Sequence, residues 1–343
     1  MSNVPRQPFL HKPWPYAVLM VLCAASFHPG LAPALPGEGA GEPRLGASGR
    51  QSAVEQWLSH PGDVPFGAAA ALLVPLLLGL GLLVGYTVLR WHNVRVFPRC
   101  EFPPAPWTAW HLLRVGIVLL AVGRGLGLGV AWVLHAREAG AAWARLPTGL
   151  VLVAVANATM VLVCVFTVAL VGSGHAGPLR LLGMWEAQPF RRAVLGVVGF
   201  LMVFPLVLLA AVAALILAPR VGLPVQAQEV LVQVAAVSPG MFLAALVGIV
   251  VVTPLTEELL FRGFLYATLR RHAGPLGAIA LSALTFALMH GHAVGVAPLF
   301  VLGFLLAYLY ERTGSLAASV AAHAAYNLYV VLLACLAPHA CVC

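Results

Sequence analysis

The chain has 343 residues, of which 61% are hydrophobic and 9% charged, against roughly 45–50% and about 25% in an ordinary soluble domain. That composition excludes a soluble globular fold and reads as an all-α, polytopic membrane protein. The net charge of +8 comes from 18 Arg and one Lys (Lys12) set against ten Glu and one Asp (Asp63), which excludes both a G-x-x-x-x-G-K phosphate loop and any mechanism that needs two aspartates. No basic stripe with interleaved aromatics accompanies the charge, so nucleic acid is not an expected partner. The six cysteines lie mostly singly in or beside apolar runs, which is no disulfide framework.

In chain order, residues 1–34 hold a short apolar run, Ala17 to Phe27, preceded by Arg6 and Lys12. A signal peptide ending at Ala32-Pro33-Ala34 and a first membrane anchor fit it equally well. Residues 35–65 continue a Pro- and Gly-rich stretch read as an exposed extracytoplasmic loop. Residues 66–192 form an N-terminal transmembrane region of unassigned role, with apolar runs at Phe66 to Leu89, Leu112 to Leu134 and Gly149 to Val171. Trp107 and Trp110 precede the second run, where an aromatic belt would lie. Residues 193–336 carry Ala193 to Ala218, a run from Met241 past Pro254, Leu276 to His292, a shorter run from Pro298 to Tyr310, and Ser315 to Leu336. A short tail, 337–343, ends in Cys341 and Cys343. The expected fold is a transmembrane helix bundle of about eight or nine spans with a polar intramembrane cavity.

Connection charges orient it. With a cytoplasmic N-terminus the inside connections hold Arg6 and Lys12, then Arg90, Arg95 and Arg99, then Arg180, Arg191 and Arg192, then Arg270 and Arg271, then Arg312. Outside connections hold Arg44, Arg50, Arg137, Arg145 and Arg220, the smaller set, as the positive-inside rule requires.

Ionisable groups at membrane depth are costly, roughly 2.5–3.5 kcal/mol or more each, and mark function. They are few: Glu257, Glu258 and Arg262 in T-E-E-L-L-F-R-G-F, His290 and His292 in F-A-L-M-H-G-H, and His323 with Asn327 in H-A-A-Y-N, with Arg124 an outlier in an earlier span. Adjacent glutamates on a helix point about 100° apart and are expected not to face one site. Glu258 and Arg262 are spaced i,i+4 with the acid first, the favourable order for an ion pair, which leaves Glu257 for chemistry. Pro254, one turn earlier, removes a backbone hydrogen bond and is expected to kink the helix beside Glu257. A hairpin turning at Ala273 and Gly274 would bring Glu257 and His290 level, about 24 Å from the turn. The turn from Glu311 to Gly314, on the same side, would bring His323 and Asn327 to a similar depth.

A carboxylate and a neutral imidazole flanking one water can take its proton, while a second His and an amide donate to the oxyanion of a tetrahedral intermediate. The expected reaction is peptide-bond hydrolysis, with Glu257 as base, His290 as its partner, and His323 with Asn327 at the oxyanion. The same side chains could hold zinc through Glu257, His290 and His323, so the expectation is no required cofactor with a zinc ion as an alternative.

E-E-x-x-x-R at Glu257, Glu258 and Arg262, F-x-x-x-H at Phe286 and His290, and H-x-x-x-N at His323 and Asn327 follow one another across hydrophobic segments. In that order they resemble the CPBP family of intramembrane endopeptidases, which includes type II CAAX prenyl proteases and bacteriocin-processing or immunity proteins. Phe261 to Arg271 and Tyr310 to Leu316 add to the likeness, which spans about Ala193 to Leu336. The resemblance implies a catalytic membrane domain over 193–336, a cavity open to cytoplasm and lipid, Glu257, His290, His323 and Asn327 as catalytic residues, and Glu258, Arg262 and Phe286 in support. Its partners would be membrane lipid and a peptide or protein substrate, prenylated or membrane-associated, entering from membrane or cytoplasm. The family has been described as metal-dependent and now looks more like a glutamate protease. Abundant Ala, Gly and Arg with a single Lys point to a bacterial inner membrane, where prenylated CAAX proteins are not expected. Two rival functions are a proton-coupled transporter, which would need a second symmetry-related polar site, and a catalytically silent immunity or scaffold membrane protein.

Overall fold

Inside a bilayer no water satisfies backbone N–H and C=O groups, so a spanning chain must satisfy them within its own helices or in a closed barrel. The computed structural model describes residues 66–94, 96–97, 108–138, 158–159, 162, 188–223, 239–290 and 293–336, and these are mostly helical, with no strand among them. The readings of 1–34, 35–65 and 337–343 lie outside the described residues, as do most of the 149–171 run, His292 and the Arg124 side chain.

The chain divides into two compact units, Met1–Pro43 with Trp107–Thr167, and Arg44–Pro106 with Val168–Cys343. In the first, the described helix is α2 (Ala109–Glu138), which begins after Thr108, whose hydroxyl lies 2.9 Å from His111 Nδ1. The second contains α1 (Phe66–Trp91), α3 (Pro189–Leu217), α4 (Pro239–Val247), α5 (Thr253–Glu258), α6 (Ala267–Met289), α7 (Val296–Thr313) and α8 (Leu316–Leu336). Wider π-helical turns join α4 to α5 (Gly248–Val252) and α5 to α6 (Leu259–Tyr266).

Five stretches among the described residues are long and apolar enough to cross a membrane: Ala69–Trp91, Pro189–Leu217, Phe242–Met289, Ala293–Thr313 and Leu316–Cys335. The third is a hairpin. Gly274, at φ 67° and ψ 176°, leaves the helical region, and Pro275 after it cannot continue the earlier hydrogen-bond ladder. Gly314, at φ 65°, ends α7 in the same left-handed way, its N–H on the Tyr310 carbonyl. Both turns fall where the sequence puts them.

Because lipid tails are as apolar as leucine, helices in a membrane associate through close packing rather than hydrophobic exclusion. Small residues set three such contacts. A Cβ on Gly196 of α3 would collide with the Ala318 carbonyl of α8, and one on Gly79 of α1 with the Leu201 carbonyl of α3. A Cβ on Gly303 of α7 would come within 3.1 Å of Ala283 Cα on α6. Around these contacts lies a buried core that includes Phe200, Phe204, Phe286, Leu302, Leu306 and Leu309. Leu77, Val84, Leu209 and Leu243 are exposed, an outward apolar face suited to lipid.

Arg192, Arg270 and Arg312, three of the arginines expected inside, gather at one end of this unit. Arg192 donates to the Thr313 carbonyl at 2.6 Å, Arg312 to the Phe97 carbonyl at 3.1 Å, and Arg270 pairs with Glu311 at 2.7 Å. Glu311 also accepts from the Tyr266 hydroxyl at 2.6 Å. Four connections that the charge rule puts on one side are thus bonded to one another.

Gly196→Val should abolish or strongly lower the folded yield in detergent, because the added carbons meet backbone rather than a yielding side chain. Gly85→Val, where a Cβ meets nothing within 4 Å, should change the melting temperature little. Equal behaviour of the two variants in a thermal unfolding scan would contradict the packing described.

Candidate active site

The site forms where α5 and its flanking π-helical turns pass α6, α7 and α8. Pro254 is the local cause of the irregularity. The Thr253 N–H bonds the Gly248 carbonyl five residues back, so in the same register the Ile249 carbonyl would need an N–H from Pro254, which has none. Asn327 of α8 supplies the missing donor, its Nδ2 lying 2.8 Å from the Ile249 oxygen. The expected kink is thus spread over a wide turn, a geometry that is frequent at functional sites.

Glu258 and Arg262 are both fully buried and paired, Nη1 to Oε1 at 2.8 Å. The guanidinium also donates from Nη2 to the Gly303 carbonyl at 3.0 Å and lies over the Phe286 ring, 4.8 Å from its centroid. Removing one partner of such a pair costs about 3–5 kcal/mol, because the other charge is then left desolvated. Glu258 Oε1 also sits 3.0 Å from His323 Nδ1.

Glu257 is different. Its side chain is 18% exposed, and its Oε2 is buried without a hydrogen-bond partner. Two imidazoles face that oxygen, His323 Nε2 at 3.7 Å and His290 Nε2 at 4.0 Å. A straight helix would hold residues 257 and 290 about 50 Å apart, so the 4.0 Å contact is the hairpin made visible. The structure therefore brings Glu257, His290 and His323 together. Asn327 lies one helical turn beyond His323, with one amide hydrogen on Ile249 and a second left over.

One expectation is corrected. The two adjacent glutamates do meet at one group, because the His323 ring offers a nitrogen to each, at 3.0 Å to Glu258 and 3.7 Å to Glu257. A helical offset of 100° separates two side chains, but a flat imidazole placed between them spans the gap. Each glutamate has an Oε2 without a hydrogen-bond partner, but their roles remain distinct, since Glu258 is fully buried and paired with Arg262 while Glu257 keeps part of its side chain exposed and faces two imidazoles.

The hydrogen bonds assign ring protons. His290 Nδ1 lies 2.8 Å from the Phe286 carbonyl, which can only accept, so Nδ1 carries the proton and Nε2 is an acceptor in the neutral ring. His323 Nδ1 likewise carries a proton toward an ionised Glu258, and its Nε2 becomes a donor only when the ring holds both protons.

A zinc ion would draw on Glu257, His290 and His323, whose spacing is somewhat wider than that of an ideal tetrahedral set. Ligands at about 2.0–2.1 Å around one tetrahedral zinc stand about 3.4 Å from one another, whereas Glu257 Oε2 is 3.7 and 4.0 Å from the two imidazole nitrogens. No group of three His, Cys, Asp or Glu among the described residues is arranged to hold a metal ion, and no step below passes through one.

Sequence reasoning missed the Gly303 and Ile249 carbonyls and the Glu258–His323 contact. Pro254, five residues after Ile249, is a signal that could have pointed to the orphaned carbonyl; nothing in the sequence marks Gly303.

Glu258→Ala should lower the melting temperature more than the double variant Glu258→Leu, Arg262→Leu, since only the single change leaves a charge buried alone. A single variant as stable as wild type would show that the pair contributes nothing.

Residues 239–329 match the family model described as type II CAAX prenyl endopeptidase, Rce1-like. No curated protein and no solved structure matched the chain. The matched segment contains Glu257, His290, His323 and Asn327 and is similar to that family's domain, and with its apolar helices the chain is a multi-pass membrane protein.

Proposed function

We propose that this chain is an intramembrane glutamic endopeptidase in which Glu257 and His290 activate a water for attack on a peptide bond. The observation that carries this reading is Glu257 Oε2, a buried carboxylate oxygen without a hydrogen-bond partner, faced by the Nε2 atoms of two histidines. Glu257 Oε2 and His290 Nε2 are both acceptors, 4.0 Å apart. A water about 2.8 Å from each would subtend about 90°, near the angle between its own O–H bonds, and would turn a lone pair away from both.

That lone pair attacks the carbonyl carbon as Glu257 takes the proton. The oxyanion receives the second amide hydrogen of Asn327 and, when its ring is doubly protonated, Nε2–H of His323, whose Nδ1–H stays on the Glu258 carboxylate. Collapse of the intermediate breaks the C–N bond, and the amine leaves with the proton held by Glu257. Glu258, through His323 Nδ1, is a positioning residue.

The substrate class that fits is a membrane-associated or prenylated peptide or protein reaching the site from membrane or cytoplasm. The arginine-rich end faces the cytoplasm in this reading, and the Ala-, Gly- and Arg-rich composition favours a bacterial inner membrane.

The test uses purified full-length protein in lipid nanodiscs, a quenched fluorescent farnesylated CAAX peptide and a panel of unmodified membrane peptides. Glu257→Gln should lower kcat by about 10²–10⁴-fold with an unchanged melting temperature, and wild-type activity should survive stripping by 1,10-phenanthroline. Cleavage by Glu257→Gln at the wild-type rate would sink the assignment, and loss of wild-type activity on chelation with recovery on adding zinc would sink its metal-free form.

A further inference from the structure

A cavity of about 440 Å³, separate from the residues of the candidate active site, opens between α1, α3 and α7. Leu83 and Tyr86 line it from α1, Met202 and Leu206 from α3, and Phe300 and Phe304 from α7. Its volume lies in the range of small-ligand sites, about 300–1,000 Å³, and its lining is almost wholly apolar.

Polarity appears at one edge. The Tyr308 side chain, which lines the cavity, interacts with Tyr86 and lies within electrostatic reach of Arg312 and Arg90. Arg90 and Arg312 occupy the last turns of α1 and α7, so the edge belongs to the arginine-rich end. The Arg312 guanidinium is tied there by its bond to the carbonyl of Phe97, whose own ring lines the cavity. Arg312 Nε is buried without a hydrogen-bond partner. Among the described residues neither arginine forms an ion pair with a carboxylate.

An apolar slot open to a bilayer fills with hydrocarbon, and two arginines at its mouth select what that hydrocarbon is attached to. Basic pockets between membrane helices on the cytoplasmic side bind anionic lipid headgroups. We propose that the cavity binds an acyl chain of an anionic phospholipid whose phosphate rests against Arg90 and Arg312. The site is independent of the hydrolysis proposed above.

The experiment takes full-length protein in uncharged detergent and adds dioleoyl phosphatidylglycerol or dioleoyl phosphatidylcholine, reading retained lipid by native mass spectrometry and stability by thermal unfolding. Phosphatidylglycerol should be retained and raise the melting temperature, and phosphatidylcholine should do neither at equal concentration. Arg90→Gln and Arg312→Gln should each weaken retention roughly 5-fold. Leu206→Trp, at a side chain already 51% exposed, should block the chain without disturbing the core. Equal retention of the two lipids by wild type overturns the proposal, as does undiminished retention in the arginine variants or in Leu206→Trp. Farnesol competing as well as phosphatidylglycerol would overturn it too, by showing a slot that reads hydrocarbon alone. None of these readouts requires peptide cleavage.

Discussion

A guanidinium and a carboxylate taken fully out of water inside an apolar bundle are the constraint around which the C-terminal helices are arranged. The idealised cost of moving such ions to low dielectric is of order 20 kcal/mol each, and several kcal/mol remain after relaxation. Coulomb attraction at 2.8 Å offsets it only if the remaining donors and acceptors are met. Several of those needs recruit a helix, although Glu258 Oε2 and Arg262 Nε are left without a hydrogen-bond partner. Gly303 brings α7, its missing Cβ allowing α6 to approach while its carbonyl accepts from Arg262. Phe286 brings α6 as the face under the cation, and His323 brings α8 to Glu258. Glu257 adjoins Glu258 in the chain, so its carboxylate is held wherever the ion pair is held.

The second device is backbone rather than charge. π-Helical turns before and after α5 change the direction in which successive side chains leave the helix, and the Ile249 carbonyl they release is satisfied from α8 by Asn327. His323 and Asn327, one turn apart on α8, thereby grip the Glu257 segment at two points, one by side chain and one by main chain. Such double attachment fixes distances between groups that belong to different helices, which is what a positioned acid–base pair requires.

Much of this was legible beforehand, for reasons that can be named. Arginine counts in short connections report orientation because charge crosses a bilayer at high cost, and the contacts among Arg192, Arg270, Arg312 and their partners bring those connections to one end. The level of Glu257 and His290 followed from Gly274 and a constant rise per residue. The Glu258–Arg262 pair followed from i,i+4 spacing. What stayed hidden depended on groups every residue has. A carbonyl such as that of Gly303 or Ile249 carries no letter in the sequence, and becomes a partner only when another helix arrives. The meeting of both glutamates at His323 was hidden for a related reason: helical angles describe directions from one axis and say nothing of a third group wedged between them.

The spacing of Glu258 and Arg262 also bears on how the protein is made. Both charges lie on one continuous stretch of helix, and α7 and α8 are synthesised later. Had Arg262 depended on a carboxylate in α8, it would have entered the bilayer as a lone cation and waited for its partner across more than fifty residues of nascent chain, on the order of seconds at typical elongation rates. With the acid one turn away, Glu258 and Arg262 can be inserted as a neutral pair. Gly303, Phe286 and His323 then close around a pair that already exists, so the order of synthesis and the order of assembly agree.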